Sequence, residues 1–303
     1  MLDPAKLATL RAVIEHGSFS AAGATLSLTQ PAVSRQVSLL EAQLGTQLVR
    51  RTRQGVHATE AGRVLAGHAE AILGHIALAE DEVGALAGLR RGRVRLGSFF
   101  NALVFLSAHA AVVLGERHPS LLIEDHLVDR RAAFHGLAAG ELDVAIVFEH
   151  AFEPDPAPEG VELVPMFDDP PRVFLPADHR LARRRRVAVS DLAAETWVRA
   201  HDGSGARLID QVLGQAGLRP LIVLAGRGDE PVEAQALVAA GKGITIAHAL
   251  NVIISERIAV RPLTGGVPVR HVQAAIMEGQ QAPAARAMLA ALRTVGRDQA
   301  RRR

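Results

Sequence analysis

Apolar positions recur with helical spacing through the first part of the chain, and after about residue 93 they fall into short runs of strand character. In PAKLATLRAVIEH, Leu7, Leu10, Val13 and Ile14 share one face; Asp3 stands at the N-cap, Pro4 at the first helical position and Gly17 at the stop. A second short helix starts at Ser20, with Ala22 and Leu26 inward. A third begins after Thr29, a good N-cap. Pro31 in its first turn removes an N–H that would have no intrahelical partner, so the proline opens a helix and does not break one. Val33, Val37, Leu40 and Leu44 then form one stripe, while Pro31, Ser34, Arg35 and Ser38 face away. Two helices joined by a tight turn, the second showing Gln30, Ser34 and Arg35 outward, predict a helix-turn-helix. Downstream, VRRTRQGVHAT reads as two short strands about a Gln54-Gly55 turn, a wing whose Arg50, Arg51 and Arg53 reach phosphates.

From Thr59 to about Gly88 the period changes. Leu65, Ala69, Ile72, Ile76, Ala79, Val83 and Leu86 alternate spacings of four and three, the heptad seam that pairs two helices. Gly62, Gly67, Gly74 and Gly84 each lower helix propensity by about 1 kcal/mol relative to alanine, so this helix needs a partner. Arg90-Arg91-Gly92-Arg93 reads as a hinge. Beyond it the pattern alternates βα: strands at VRLG, LLIEDH and DVAIVF, helices ending before Pro119 and over roughly 130–139, then strands at VFLP, TWVRA, RPLIVLAG, GITIAH and VRHVQAAIM. A helix follows TWVRA to Ala216, another covers EAQALVAAG, and the last begins after Pro283. Two α/β lobes result, with the chain crossing near Val164–Phe167 and again near Pro262–Val267.

Composition alters this picture little. At 303 residues, nearly half of them apolar, the chain holds about two domains. Cysteine is absent, which excludes a disulfide framework and cysteine-ligated zinc. The pI of 9.8 reflects a flat titration curve, because the net charge is only +2; what matters is where the cations sit. MLDPAKLATLRAVIEHG reads as an amphipathic helix and not an export signal, and the apolar stretch from Ala102 to Leu114 is too short for a membrane span. A cytoplasmic protein without membrane partners is expected.

With these residues in place the chain resembles the LysR-type transcriptional regulators over essentially its whole length. GSFSAAGATLSLTQPAVSRQVSLLEAQLG is the most specific match; LVRRT…GVHATEAG, GELDVAIV, LPADHRLA and VAAGKGITIA follow in the family's order. The resemblance implies a winged helix-turn-helix over 1–58, a dimerising linker helix over 59–89 and an effector-binding domain over 90–303 of the type 2 periplasmic-binding-protein kind. Lobe 1 would span about 93–164 and 268–303, and lobe 2 about 165–267. It also implies binding to imperfect inverted repeats in double-stranded DNA, dimers that pair into tetramers, RNA polymerase as a further partner, and a small co-inducer between the lobes but no cofactor. Carried over, Gln30, Pro31, Ser34 and Arg35 match the recognition-helix motif and Arg50, Arg51 and Arg53 the wing; Thr29 at the cap and Ser38 on the outward face complete the expected DNA-binding set. The chain departs from the family at Val49, where phenylalanine is usual, and at His248, where the strand commonly ends in proline.

For the effector, Ser98 lies at the carboxyl end of VRLG before a helix, the edge where open α/β sheets collect ligands. Capping the helix is the plainer role for Ser98; the resemblance, which places effector contacts at this position, favours ligand contact. Phe99, Phe100 and Phe148 fall near the same edge, with His201 and Ser204 at the matching junction of the second lobe and His248 at the end of GITIAH. A small carboxylate with an apolar or aromatic body fits this set. An enzyme is disfavoured: phosphate loops and HExxH are absent, and Gly203-Ser204-Gly205 lacks the GxSxG spacing. His68 and His75 share a helix face without a carboxylate or thiol partner, so metal binding is set aside. A transporter's solute-binding protein would suit the C-terminal region alone, but not the fused N-terminal module. The run Arg183 to Arg186 reads as a solvated loop.

Overall fold

The computed structural model describes residues 1–52, 55–86, 92–224, 232–251, 255–280 and 282–301. Helices α1 (Pro4–His16), α2 (Phe19–Leu26) and α3 (Gln30–Leu44) are followed by strands β1 (Val49–Thr52) and β2 (Gly55–Ala58). The Asp3 carboxylate accepts from Ala5 N, and Gly17 ends α1 in the left-handed region at φ 62°. Helix α2 starts one residue earlier than the pattern suggested, because Ser18 is its N-cap and accepts from Ala21 N. Thr29 occupies the cap position of α3 but makes no side-chain cap hydrogen bond; its carbonyl accepts from Val33 N. Leu7, Leu10, Val13, Val33, Val37, Leu40, Leu48 and Val56 form one buried cluster. Leu44 does not join it: at the last turn of α3 it is 41% exposed. Gly55 lies in β2, paired with Thr52, and not in a turn.

Helix α4 (Glu60–Leu86) leads to the C-terminal region. Its Ala69 is buried in the N-terminal cluster and Leu65 packs against it, so the first part of the seam serves the chain's own core. Ile72, Ile76 and Val83 are 38%, 37% and 66% exposed, and Ala79 is exposed. The side chain of Leu86, the wing residue Arg53 and the hinge at 90–91 lie outside the described residues.

Lobe 1 is a five-stranded sheet of order β4-β3-β5-β13-β6, built from β3 (Arg93–Ser98), β4 (Leu122–Leu127), β5 (Val144–His150), β6 (Val161–Asp169) and β13 (Arg270–Met277). β3 is parallel to β4 and β5; β13 is antiparallel to β5 and β6. Val144 and Ile146 point into the core beneath α6 (Ala108–Arg117) and α10 (Pro283–Arg301), whereas Ala145 and Val147 meet α7 (Arg130–Ala138) on the opposite face. A short α5 (Phe100–Ala102) and a π turn (Leu103–Ser107) run into α6. Lobe 2 has a sheet of order β11-β7-β12-β8, from β7 (Pro171–Pro176), β8 (Val187–Ala188), β11 (Thr245–His248) and β12 (Ile258–Thr264). The parallel pair β9 (Trp197–Arg199) and β10 (Ile222–Leu224) joins it through a bridge between Trp197 and Ile244. Helices α8 (Ser204–Ala216) and α9 (Val232–Ala239) complete the lobe.

The crossovers lie later than expected. The first falls between Asp169 and Pro171, because 161–169 is a strand of lobe 1, and the second lies between Thr264 and Arg270. Both hidden strands carry a proline. Pro165 sits on edge strand β6, where the register shifts between Val272 and Gln273; Pro262 sits where β12 leaves β7 for β8.

Candidate functional site

The N-terminal site is built by close packing of α2 on α3. Ser27 ends α2 at φ 54°, and Leu28 N donates to Gly23 O at 2.8 Å. A Cβ on Gly23 would stand 2.6 Å from Leu28 O, so only glycine allows this tight turn. The turn aims the first face of α3 outward: Thr29, Gln30, Pro31, Arg35 and Ser38 are exposed and Ser34 half-buried. Glu41 fastens the wing to the helix, its carboxylate accepting from Leu48 N at 2.8 Å and Val49 N at 3.2 Å. Arg51 reaches back, donating to Ser34 Oγ at 2.9 Å with its guanidinium 4.4 Å from the Phe19 ring centre. Arg50 stays exposed on the wing. A protruding helix end beside two exposed arginines matches a major groove flanked by phosphates.

The second site is a cleft of about 1160 Å³ between the lobes. Phe99, Phe100, Phe148, Ser204 and His248 all line it, so five sequence candidates come together. Ser98 does not. Its side chain is buried, with Oγ 3.2 Å from Ser107 Oγ in the π turn, behind the cleft wall. His201 is exposed on the turn before α8 and does not line the cleft either.

Arg270, which lines the cleft, pairs with Asp169 at 2.6 Å where the two crossing strands meet, both side chains almost fully buried. Asp169 also accepts from Leu250 N at 3.2 Å, tying lobe 1 to lobe 2. The Arg270 guanidinium lies 5.2 Å from the Phe99 ring centre and 4.8 Å from that of Phe148, which in turn meet edge to face at 4.8 Å. His150, at the end of β5, stacks on Phe152 at 4.9 Å and stands 5.0 Å from His248 of lobe 2. Nearer the mouth, Arg130 donates to Phe148 O at 3.1 Å and to the Asp155 carboxylate at 3.2 Å. Arg207 of α8 pairs across the lobes with Glu153 at 2.8 Å. Arg131 is exposed at the cleft edge with no carboxylate partner among the described residues. Helix α8 starts at the wall behind Gly203, at φ 93° and without a side-chain cap, and its partial positive end favours an anion.

Sequence reasoning missed Arg130, Arg131, Arg207 and Arg270. The sheet-edge argument that selected Ser98 applies equally to Asp129-Arg130-Arg131, which follow β4 one residue on and open α7. Arg270 had no such signal.

The two sites define a class: a DNA-binding module joined through a long helix to a two-lobed ligand-binding domain. The comparisons place it within that class. The model described as "Bacterial regulatory helix-turn-helix protein, lysR family" matches residues 4–63, and "LysR substrate binding domain" matches 87–297. The hydrogen peroxide-inducible genes activator of Pectobacterium carotovorum subsp. carotovorum is 31% identical over 80% of this chain and 78% of its own. The HTH-type transcriptional regulator CbbR of Rhodospirillum rubrum is 29% identical over 94% of each chain. The crystal structure of full-length CbnR complexed with the target DNA matches with a TM-score of 0.69 at 23% identity, over 97% of this chain and 100% of that one, a likeness of fold. The chain belongs to the LysR family: it is a DNA-binding transcriptional regulator with an effector-binding domain, and not an enzyme.

Proposed function

We propose that Gln30, Ser34 and Arg35 read base edges in the major groove while Arg50, Arg51 and Arg53 hold phosphates, with Thr29, Pro31 and Ser38 shaping the contact face. Two chains pair through Ile72, Ile76, Ala79 and Val83 to present two recognition helices to an imperfect inverted repeat, and dimers pair further into tetramers. Exposure of these apolar side chains in the single chain supports the pairing. RNA polymerase is the partner through which such a complex would act on transcription.

The effector is a small anion with an apolar or aromatic body, held between the lobes. The observation that carries this reading is the cleft itself, with Phe99, Phe100 and Phe148 on one side and Arg131, Arg207 and the start of α8 at its mouth. Ser98 contributes by holding the wall, its hydroxyl bonded to that of Ser107, and not by touching the effector. A thiol-based response to peroxide has no chemical basis in a chain without cysteine. A thermal-shift screen of carboxylate metabolites on the full chain tests the reading. A hit should raise the melting temperature of wild type, and Arg131→Gln should weaken its binding. Hits confined to uncharged compounds, or an unchanged midpoint in Arg131→Gln, would remove the anion from the proposal.

A further inference from the structure

The sheet of lobe 1 carries a second concave site on the face opposite the cleft-bordering helix α7. A groove of about 330 Å³ runs between the end of α6 and the outer side of α10. Arg117, Arg286, Arg293 and Arg297 line it, Leu289, Ala290 and Thr294 complete its wall, and no carboxylate contributes. Four other arginines at the border of the protein interior meet acids: Arg95 meets Asp143, Arg130 Asp155, Arg199 Asp210 and Arg270 Asp169. Among the described residues the four groove arginines have no such partner.

Nor are they loose. Arg286 Nε donates to Gln280 O and Arg297 Nε to Arg293 O, each at 3.2 Å. These bonds fix the two side chains through Nε and leave their terminal nitrogens for another acceptor. Arg286, Arg293 and Arg297 share one face of α10, and the short side chains of Ala290 and Thr294 between them open the floor. Guanidinium groups stay charged at any physiological pH, so four together repel one another until an anion arrives. Phosphate oxygens match their paired N–H donors two at a time.

We propose that this groove is a second ligand site, for a small phosphate-bearing metabolite, separate from the interlobe cleft. Its place on the sheet face away from α7 and the linker helix favours a small ligand over DNA held by the same chain. The test uses the full-length protein, with inorganic phosphate and glycerol phosphate as probes and chloride at matched ionic strength as the blank. Both probes should raise the melting temperature saturably. In the double variant Arg293→Gln, Arg297→Gln the midpoint should move about tenfold higher, and in the cleft variant Arg131→Gln it should stay. An equal effect from chloride, an unmoved midpoint in the double variant, or loss of binding in Arg131→Gln would each overturn the proposal. Random duplex DNA supplies the remaining arm: its salt slope should be the same for wild type and double variant. A slope lowered by about two would assign the arginines to nucleic-acid phosphates instead.

Discussion

Arg35 and Arg51 lie close together in the fold yet are bound by different constraints, and substitution should separate them. Arg35 is exposed on the recognition helix. Arg35→Ala should leave the melting temperature unchanged and weaken operator binding by about 1–3 kcal/mol, with relaxed preference at one base pair. Equal loss on operator and random DNA in a competition assay would reject base reading. Arg51 already holds Ser34 and covers Phe19. Arg51→Ala should therefore weaken all sequences alike and lower the salt slope by about one. Where the chain crosses between the lobes, Asp169→Ala would leave Arg270 buried without its acid, which destabilises by about 3–5 kcal/mol and should show as an early melting transition. The outward residues of α3 were legible from sequence because helical periodicity is local. The Arg270–Asp169 pair was not, since its members are 101 residues apart and meet only through the register of β13 on β6. Ser98 was legible as a sheet-edge residue, but which way its hydroxyl turns depends on the π turn that carries Ser107.

Helix α4 divides its work along its length. Leu65 and Ala69 belong to the core of the N-terminal module, whereas Ile72, Ile76, Ala79 and Val83 face solvent in the single chain. The heptad pattern alone could not separate these roles, because a buried seam reads the same whichever surface buries it. Leu65→Ala should lower the stability of the N-terminal module by up to about 2–5 kcal/mol with little effect on association, the upper end requiring full burial. Val83→Asp should do the reverse, leaving folding intact and placing an unpaired charge in the seam. Sedimentation should then report fewer subunits, with weak binding to the inverted repeat; an unchanged oligomer would mean that the chains pair elsewhere. Two of the strands missed from sequence, β6 and β12, fail for a shared reason. Each holds an internal proline, which argues against a central strand, and each accommodates it at an edge, a bulge or a change of partner.

Across the whole molecule, α7 links the interlobe cleft to the DNA-binding half. Its N-cap Asp129 and first residues Arg130 and Arg131 line the cleft, and the turn after its last residue packs against the linker helix. There Gly74 of α4 and Gly140 touch backbone to backbone; a Cβ on Gly74 would stand 1.7 Å from Ala139 O. Glu141, next in the turn, pairs with Arg11 of α1 at 3.5 Å. Burial first, then a hydrogen bond and charge from Glu70, push the Glu141 carboxyl above the ordinary glutamate value, against the pull of Arg11 and Arg95. A raised acid means that the joined state holds its proton more tightly than the parted one. The contact is therefore at full strength below the ordinary glutamate pKa and weakens as pH rises through the raised value. Because the chain has no cysteine, a pair introduced as Ala21→Cys and Glu116→Cys can be labelled specifically, and energy transfer between them reports the junction. Transfer should change as pH climbs through the Glu141 titration. Glu141→Gln, which copies the protonated form without being able to lose it, should remain in the low-pH state throughout. If Glu141→Gln titrates as wild type does, the proton that governs the junction belongs to another group.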